Sequence, residues 1–342
     1  MTLVEKLVRR YSPSGAEGSL AALLVEEMCA RGFCAYLDEM GNAVGTIGKG
    51  PKRVCLLGHM DTVQGEIPVR TEGGKLYGRG SVDAKGSLAA FVEAASAFEH
   101  SHVLQLTVIG CVEEEADSKG ARHVVARYAP PDFAVIGEPS GWQGITLGYK
   151  GSLRLSYTLK KPRSHRGAPQ TTPAEDAVAF YQALCGSYPQ RGPGFEALSL
   201  RLVCFNTTGD GSYESVDMEL NVRTPPVFDL EAFQRLVAQA QGEAQVHRGQ
   251  HTPAVLIDKH NALVRSFLSA IRLQRAEPRF KRKTGTSDMN LFQGWGCPMI
   301  AYGPGDSALD HTPNEHLELA EYQQAIAVLQ QALRQLELSL RD

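Results

Sequence analysis

The chain has 342 residues, 43% hydrophobic and 21% charged, with a formal net charge of -3. That length exceeds one simple core and fits two domains or one domain with an insertion, and the charge balance leaves no global basic field for nucleic acid. The sparse aromatics are not interleaved with Arg or Lys, the start MTLVEKLVRR has no apolar signal core, and no stretch is long enough to span a bilayer, so neither single-strand binding nor a membrane location is expected.

In chain order, Ser14-Gly15-Ala16-Glu17 reads as a capping box, after which Leu20, Leu23, Leu24 and Met28 share one helical face. Apolar runs bounded by glycines follow at 43–47, 54–57, 106–112 and 133–136, with the length and β-branched content of buried strands. Residues 88–98 read as a helix between two of them. Strands separated by helices predict an α/β layered sheet. From about Gly151 the texture changes. Residues 152–160 alternate like a half-exposed strand, and a helix follows Thr172-Pro173, with Thr capping and Pro in the first turn. Residues 198–205 and 213–222 look antiparallel around Gly209-Asp210-Gly211, and 228–241 is another helix. After about Ala254 the α/β texture returns, with a strand at 299–302 and a long helix at 322–338 whose inner face carries Ala325, Ile326, Leu329, Leu333 and Leu336. The predicted organisation is an α/β catalytic domain over 1–150 and 255–342, with a central mostly parallel sheet and flanking helices. A smaller α+β domain over 151–254 interrupts it. Seven scattered Cys (Cys29, Cys34, Cys55, Cys111, Cys185, Cys204 and Cys297) form no C-x-x-C pair and read as core filler in a reduced, cytoplasmic compartment.

Ligand-type residues fall at strand ends. The run at 54–57 leads into Gly58-His59-Met60-Asp61, that at 106–112 into Glu113-Glu114-Glu115, that at 133–136 into Gly137-Glu138-Pro139, and that at 299–302 towards Asp310-His311. Open α/β sheets bind ligands at the carboxyl ends of their strands. The glycine-rich turn 78–86 adds Asp83 just before a helix. A phosphate-loop reading of that turn fails, because the order is Lys-Gly-Ser and the G-x-x-x-x-G-K frame is absent; a bend that lets Asp83 reach between two cations fits better. Two His with several carboxylates suit Zn²⁺ first, with Co²⁺ or Mn²⁺ as alternatives. Two such ions about 3.5–4 Å apart share a carboxylate and a water, polarise a carbonyl and acidify the water, and a further carboxylate then carries the proton to a leaving amine.

The stretches GHMDT (58–62), GRGSVDAKG (78–86), EEEADSKGA (113–121), GEPS (137–140) and GPGDSALDH (303–311), in this order and spacing, resemble the M20 family of metallopeptidases and deacylases over essentially the whole chain. The resemblance implies a zinc-exopeptidase-like catalytic domain. His59 and Glu138 would hold one metal, Glu115 and His311 the other, and Asp83 would bridge them. Asp61 would fix the tautomer of His59, and Glu114 would be the general base and acid. Where the family shows Asp-Glu-Glu this chain has three Glu, and Ser118-x-Gly120-Ala121 sets the register so that Glu113 stands for the Asp. The inserted domain would be a lid that forms a homodimer. Its His165 would reach the other subunit's site and steady the oxyanion. Arg223 would clamp a substrate carboxylate, Asn206 would be a further lid contact, and Gly285-Thr286-Ser287-Asp288 would be a substrate-side loop of the catalytic domain.

Within that family the segments 38–50, 67–86 and 112–122 look most like hydrolases that free lysine, or ornithine, from the C-terminal glutamate of an acidic amino-group carrier protein. Acetylornithine deacetylation or dipeptide cleavage is the alternative within the family, and a non-catalytic metal- or substrate-binding protein the alternative outside it. Arg272, Arg275, Arg279, Lys281, Arg282 and Lys283 form a local basic cluster that reads either as a carrier-docking face or as a solvated helix and loop. His100, His102, His123, His247, His251, His260 and His316 read as structural or solvated.

Overall fold

The apolar run before His59 becomes the strand Lys52–His59, buried from Val54 onward and central to its sheet. The computed structural model describes residues 1–187 and 192–341, which divide into two units. The first comprises Met1–Gly148, Ile257–Arg282 and Ser287–Asp342. Its sheet runs in the order Cys34–Leu37, Ala43–Ile47, Leu104–Cys111, Lys52–His59, Phe133–Ile136, Met299–Ala301, Gly144–Tyr149. The centre is parallel: Lys52–His59 pairs that way with Leu104–Cys111 and with Phe133–Ile136, and Met299–Ala301 pairs that way with Phe133–Ile136. Antiparallel pairs lie to either side. Continuous apolar runs in the centre match strands covered on both faces. Lys85–Ala95 and Ala262–Leu273 both pack against Leu319–Ser339, which buries Ala325, Ile326, Leu329, Leu333 and Leu336 as its pattern predicted.

The capping box expected at Ser14–Glu17 is absent. The helix Gly18–Cys29 starts with Glu17 in a helical conformation and no side-chain cap, because both polar side chains are engaged elsewhere. Ser14 Oγ donates to Asp61 Oδ2 at 2.7 Å, and Glu17 Oε1 accepts from the amides of Gly15 and Glu113, both at 3.0 Å. A reciprocal box forms instead at Thr2 and Glu5, ahead of Leu3–Val8. Cys55 and Cys111 are buried filler, but Cys29 and Cys34 are exposed, at the end of Gly18–Cys29 and the start of Cys34–Leu37, so the filler reading fails for those two.

The second unit comprises Tyr149–Leu256 and Lys283–Thr286. Its antiparallel sheet runs Ser199–Gly209, Tyr213–Thr224, Gly151–Pro162, Gln245–Arg248. Alternation along Gly151–Pro162 buries Leu153, Leu155, Tyr157 and Leu159 against Phe180 of Pro173–Gly186 and Phe233 of Leu230–Ala240. Thr172 caps the first of these helices in a box with Glu175, and Pro173 opens its first turn. No helix among the described residues is long and apolar enough to cross a membrane.

Candidate metal centre

Because Lys52–His59, Leu104–Cys111, Phe133–Ile136 and Met299–Ala301 are parallel neighbours, their carboxyl ends share one sheet edge. His59 closes the first of them, Glu113–Glu115 follow the second, Glu138 follows the third, and His311 is reached after the fourth. Asp83 enters from the turn before Lys85–Ala95.

These residues converge. His59 Nε2 lies 3.1 Å from Asp83 Oδ1, and His311 Nε2 lies 3.1 Å from Asp83 Oδ2 and 2.8 Å from Glu115 Oε1. Ligand atoms of His59, Asp83 and Glu115 all fall within 4.8 Å of one another. Glu138 is buried and stands outside that closest group, near enough for its charge to act on Glu114. His59 Nδ1 faces the Asp61 carbonyl oxygen at 3.0 Å and Asp61 Oδ1 at 3.4 Å. Two acceptors on Nδ1 fix the N–H there and leave the Nε2 lone pair pointing at a carboxylate oxygen. A lone pair and a carboxylate oxygen at that range need a cation or a proton between them. Asp83 presents one oxygen to each imidazole, so two such positions exist. The donor set can hold a pair of divalent cations on either side of Asp83.

Electrostatics separates the carboxyls. Burial works against ionisation of Asp83, but hydrogen bonds from His311 and His59 hold its pKa far below the ordinary value. Those with Asp83 and Glu115 raise His311 to about 10. Burial pushes Glu114 well above the carboxylate range; His59 pulls the other way, and Asp288, Glu138 and Glu115 add to the rise. Burial also raises Glu115. Asp61, wholly buried, accepts from Ser14 Oγ at 2.7 Å and from the amides of Glu114 and Glu115, each at 2.9 Å.

One residue here, Glu315, was not found by sequence reasoning. Glu315 is buried; its Oε1 accepts from Val82 N at 3.0 Å and Asp83 N at 3.2 Å, and its Oε2 pairs with Arg79 at 2.9 Å. The clue in the sequence was a carboxylate four positions after His311. Asp288 is buried with no hydrogen-bond partner for Oδ1 among the described residues, and burial raises it to about 7.

The remaining expected residues lie in the second unit. Arg223 donates to Thr286 Oγ1 at 2.9 Å. That bond, and the bond from Lys150 N to Lys283 O, group Gly285 and Thr286 with this unit rather than with the catalytic residues 255–342. A β-carbon on Gly285 would meet nothing within 4 Å, so no crowding requires glycine there. His165 is exposed and accepts from Gly167 N at 3.2 Å, while the Asn206 side chain, among the described residues, reaches only Cys204 Sγ of its own strand, at 3.1 Å.

Residues 55–335 match the sequence model of peptidase family M20/M25/M40. A LysW-lysine hydrolase of Deinococcus radiodurans is 45% identical, over 98% of this chain and 96% of its own. The aminopeptidase PepT of Bacillus cereus superposes with a TM-score of 0.81 at 17% identity, covering 97% and 96% of the two chains. The YXEP protein of Bacillus subtilis, a dinuclear-metal-binding peptidase of the M20 family, superposes with a TM-score of 0.72 at 12% identity over 99% and 97%. At those identities the two structures establish a common fold. With the family match spanning most of the chain and a His-carboxylate centre at its sheet edge, the chain belongs to the M20/M25/M40 peptidase family, and it is a metal-dependent hydrolase of amide C–N bonds.

Proposed function

We propose that the protein hydrolyses the amide that joins lysine to the C-terminal glutamate of the amino-group carrier protein LysW, releasing lysine. The observation that carries this is the 45% identity, over nearly the whole of both chains, to a LysW-lysine hydrolase.

His59 and Glu138 would hold one cation, Glu115 and His311 the other, and Asp83 would serve both. Zinc is the ion this set of imidazoles and carboxylates suits first. Such a pair, when bound, polarises the amide carbonyl and acidifies a water. Glu114 takes the proton of the attacking water and returns it to the departing α-amine of lysine. Burial raises the pKa of this carboxyl, which makes its ionised form a stronger acceptor for that proton. Asp61 keeps the His59 proton on Nδ1. In the second unit Arg223 and Thr286 form a polar pair suited to the substrate's carboxylate, and Asn206, further along the same sheet, serves as a separate lid contact. The working form is a cytoplasmic homodimer in which His165 of one protomer steadies the oxyanion in the other. The seven free cysteines accord with a reducing compartment. Arg272, Arg275 and Arg279 are exposed on the first unit and steer an acidic carrier toward it in a salt-sensitive manner.

The test is a panel: zinc-loaded protein with LysW-lysine, LysW-ornithine, acetylornithine and dipeptides. LysW-lysine should turn over fastest, and faster acetylornithine cleavage overturns the assignment. Glu114→Ala should abolish turnover while cation content stays at about two per chain. Unchanged turnover in that variant overturns the role given to Glu114.

A further inference from the structure

Glu114 and Glu115 sit on a loop whose neck is closed by Gly120 N donating to Val112 O at 3.1 Å. Four consecutive amides at its start each donate to a side chain from elsewhere in the unit. Val112 N reaches Asn42 Oδ1 at 3.1 Å and Glu113 N reaches Glu17 Oε1 at 3.0 Å. Glu114 N and Glu115 N reach the two oxygens of Asp61, each at 2.9 Å. Loop amides ordinarily face water. Here none of the four does.

Asp61 already belongs to the centre through His59. Asn42 and Glu17 do not: neither bonds a side chain of the centre among the described residues. Asn42 is wholly buried and spans both sides of the neck, since its Nδ2 donates to Gly120 O at 3.3 Å and to Asp38 Oδ2 at 2.9 Å. Glu17 is 5% exposed, and its Oε1 also accepts from Gly15 N at 3.0 Å, so the oxygen is fixed before it meets Glu113. Restraint has a physical purpose. Glu114 and Glu115 repel each other, and Asp83, Glu138 and Asp288 repel one or the other of them. An unpinned loop would relieve that repulsion by swinging outward. A buried carboxylate on an amide gives one of the stronger hydrogen bonds available to oppose it.

We propose that Glu17 and Asn42 are positioning residues that, through the amides of Glu113 and Val112, hold the Glu114 carboxyl and the Glu115 carboxylate at the separation that proton transfer and cation binding require. The proposal rests on reading Glu114 as the base and Glu115 as a ligand.

The experiment compares Glu17→Ala, Glu17→Gln and Asn42→Ala with the parent enzyme. The readouts are kcat and KM, zinc affinity by competition with a chromophoric chelator, and hydrogen exchange at residues 112–115. Glu17→Ala should lower kcat and zinc affinity by about 10- to 100-fold, the usual effect of losing such a support, with KM within about twofold. Exchange at Glu113 should accelerate, as exchange at Val112 should in Asn42→Ala. Glu17→Gln keeps the acceptor oxygen and should stay within about threefold of the parent. Unchanged kcat and zinc affinity in Glu17→Ala, with only a lower thermal midpoint, overturns the proposal. Should Glu17→Ala not fold, Glu17→Gln decides: a tenfold or larger loss of kcat overturns it, and near-parental activity supports it. Zinc affinity and amide exchange do not depend on Glu114 acting as a base, so failure of that reading registers separately, as turnover surviving in Glu114→Ala.

Discussion

Replacing Glu315 should cost the first unit much of its stability. The Arg79–Glu315 pair, at 2.9 Å, has side-chain exposures of 8% and 1%. Removing one partner of a buried pair costs about 3–5 kcal/mol, because a charge is left without its counterion. Arg79 retains Gly65 O at 2.9 Å and Thr312 O at 3.2 Å, which puts Glu315→Gln near the lower end, about 3 kcal/mol. The glutamine oxygen can still accept from Val82 N and Asp83 N. Glu315→Ala also strips those two amides, each worth about 1–3 kcal/mol when buried and unsatisfied, for a total of about 5–9 kcal/mol. That is comparable with the whole stability of a typical domain, about 5–15 kcal/mol. The assay is urea unfolding of the cation-free protein, so that ion binding does not add to the apparent stability. Adding Arg79→Met to Glu315→Gln removes the stranded guanidinium and should recover about 1–3 kcal/mol. A cost below about 1 kcal/mol for Glu315→Gln, or a double variant no more stable than the single, refutes the reasoning.

Gly120→Ala would set a β-carbon against Asn42 Oδ1 and 2.5 Å from Val112 N, which is backbone and cannot yield, so it should cost about 1–3 kcal/mol and at least tenfold in kcat; parental kinetics would count against the closed neck. Glu27 pairs with Lys6 at 2.6 Å and Arg31 at 2.7 Å, and although burial opposes it, those partners hold its pKa below the ordinary 4.5. A lowered folded-state pKa stabilises above the unfolded value and fades as pH falls through the folded one, so the deficit of Glu27→Gln should be about 1 kcal/mol at pH 7 and vanish in acid; a deficit that grows in acid reverses the sign. Chelation should abolish turnover and lower the thermal midpoint, with zinc or cobalt restoring both, since an ion at a hundredfold its Kd contributes about 2.7 kcal/mol. A midpoint indifferent to chelation would argue against an ion pair at Asp83.

What the sequence made legible was what repeats along the chain. Buried parallel strands are continuous apolar runs, so the strands ending at His59, Cys111 and Ile136 could be read, and with them the edge where His59, Glu115 and Glu138 emerge. The alternation in Gly151–Pro162 made the second sheet readable in the same way. What stayed hidden were single side chains bonded to distant backbone. Glu17 is 96 positions from the amide it holds, Asn42 is 70, and Glu315 is 232 from Asp83. No periodicity encodes such a partner. The capping motif at Ser14–Glu17 failed for that reason: its local pattern is sound, but Asp61 and Glu113 compete for the same side chains and prevail.

The crowding of Asp61, Asp83, Glu114, Glu115, Glu138 and Asp288 around His59 and His311 determines what must happen when cations enter. Without them protons do part of the work. Burial favours a proton on Glu114 and on Glu115; carboxylate partners overcome burial to favour one on His59, and they raise His311 to about 10. Ligands coordinate through a free lone pair or an ionised carboxylate, so each such proton on a coordinating group is displaced by loading. Asp83 gives up none, because the two imidazoles already keep it ionised, which is the state a carboxylate between two cations requires. Zinc titrated into cation-free protein at pH 7 should therefore release protons, and release fewer as pH rises toward the His311 value. Calorimetry in buffers of different ionisation enthalpy measures the number directly. Net proton uptake, or none exchanged at pH 7, would mean that the groups drawn together here are not the ones that meet the metal.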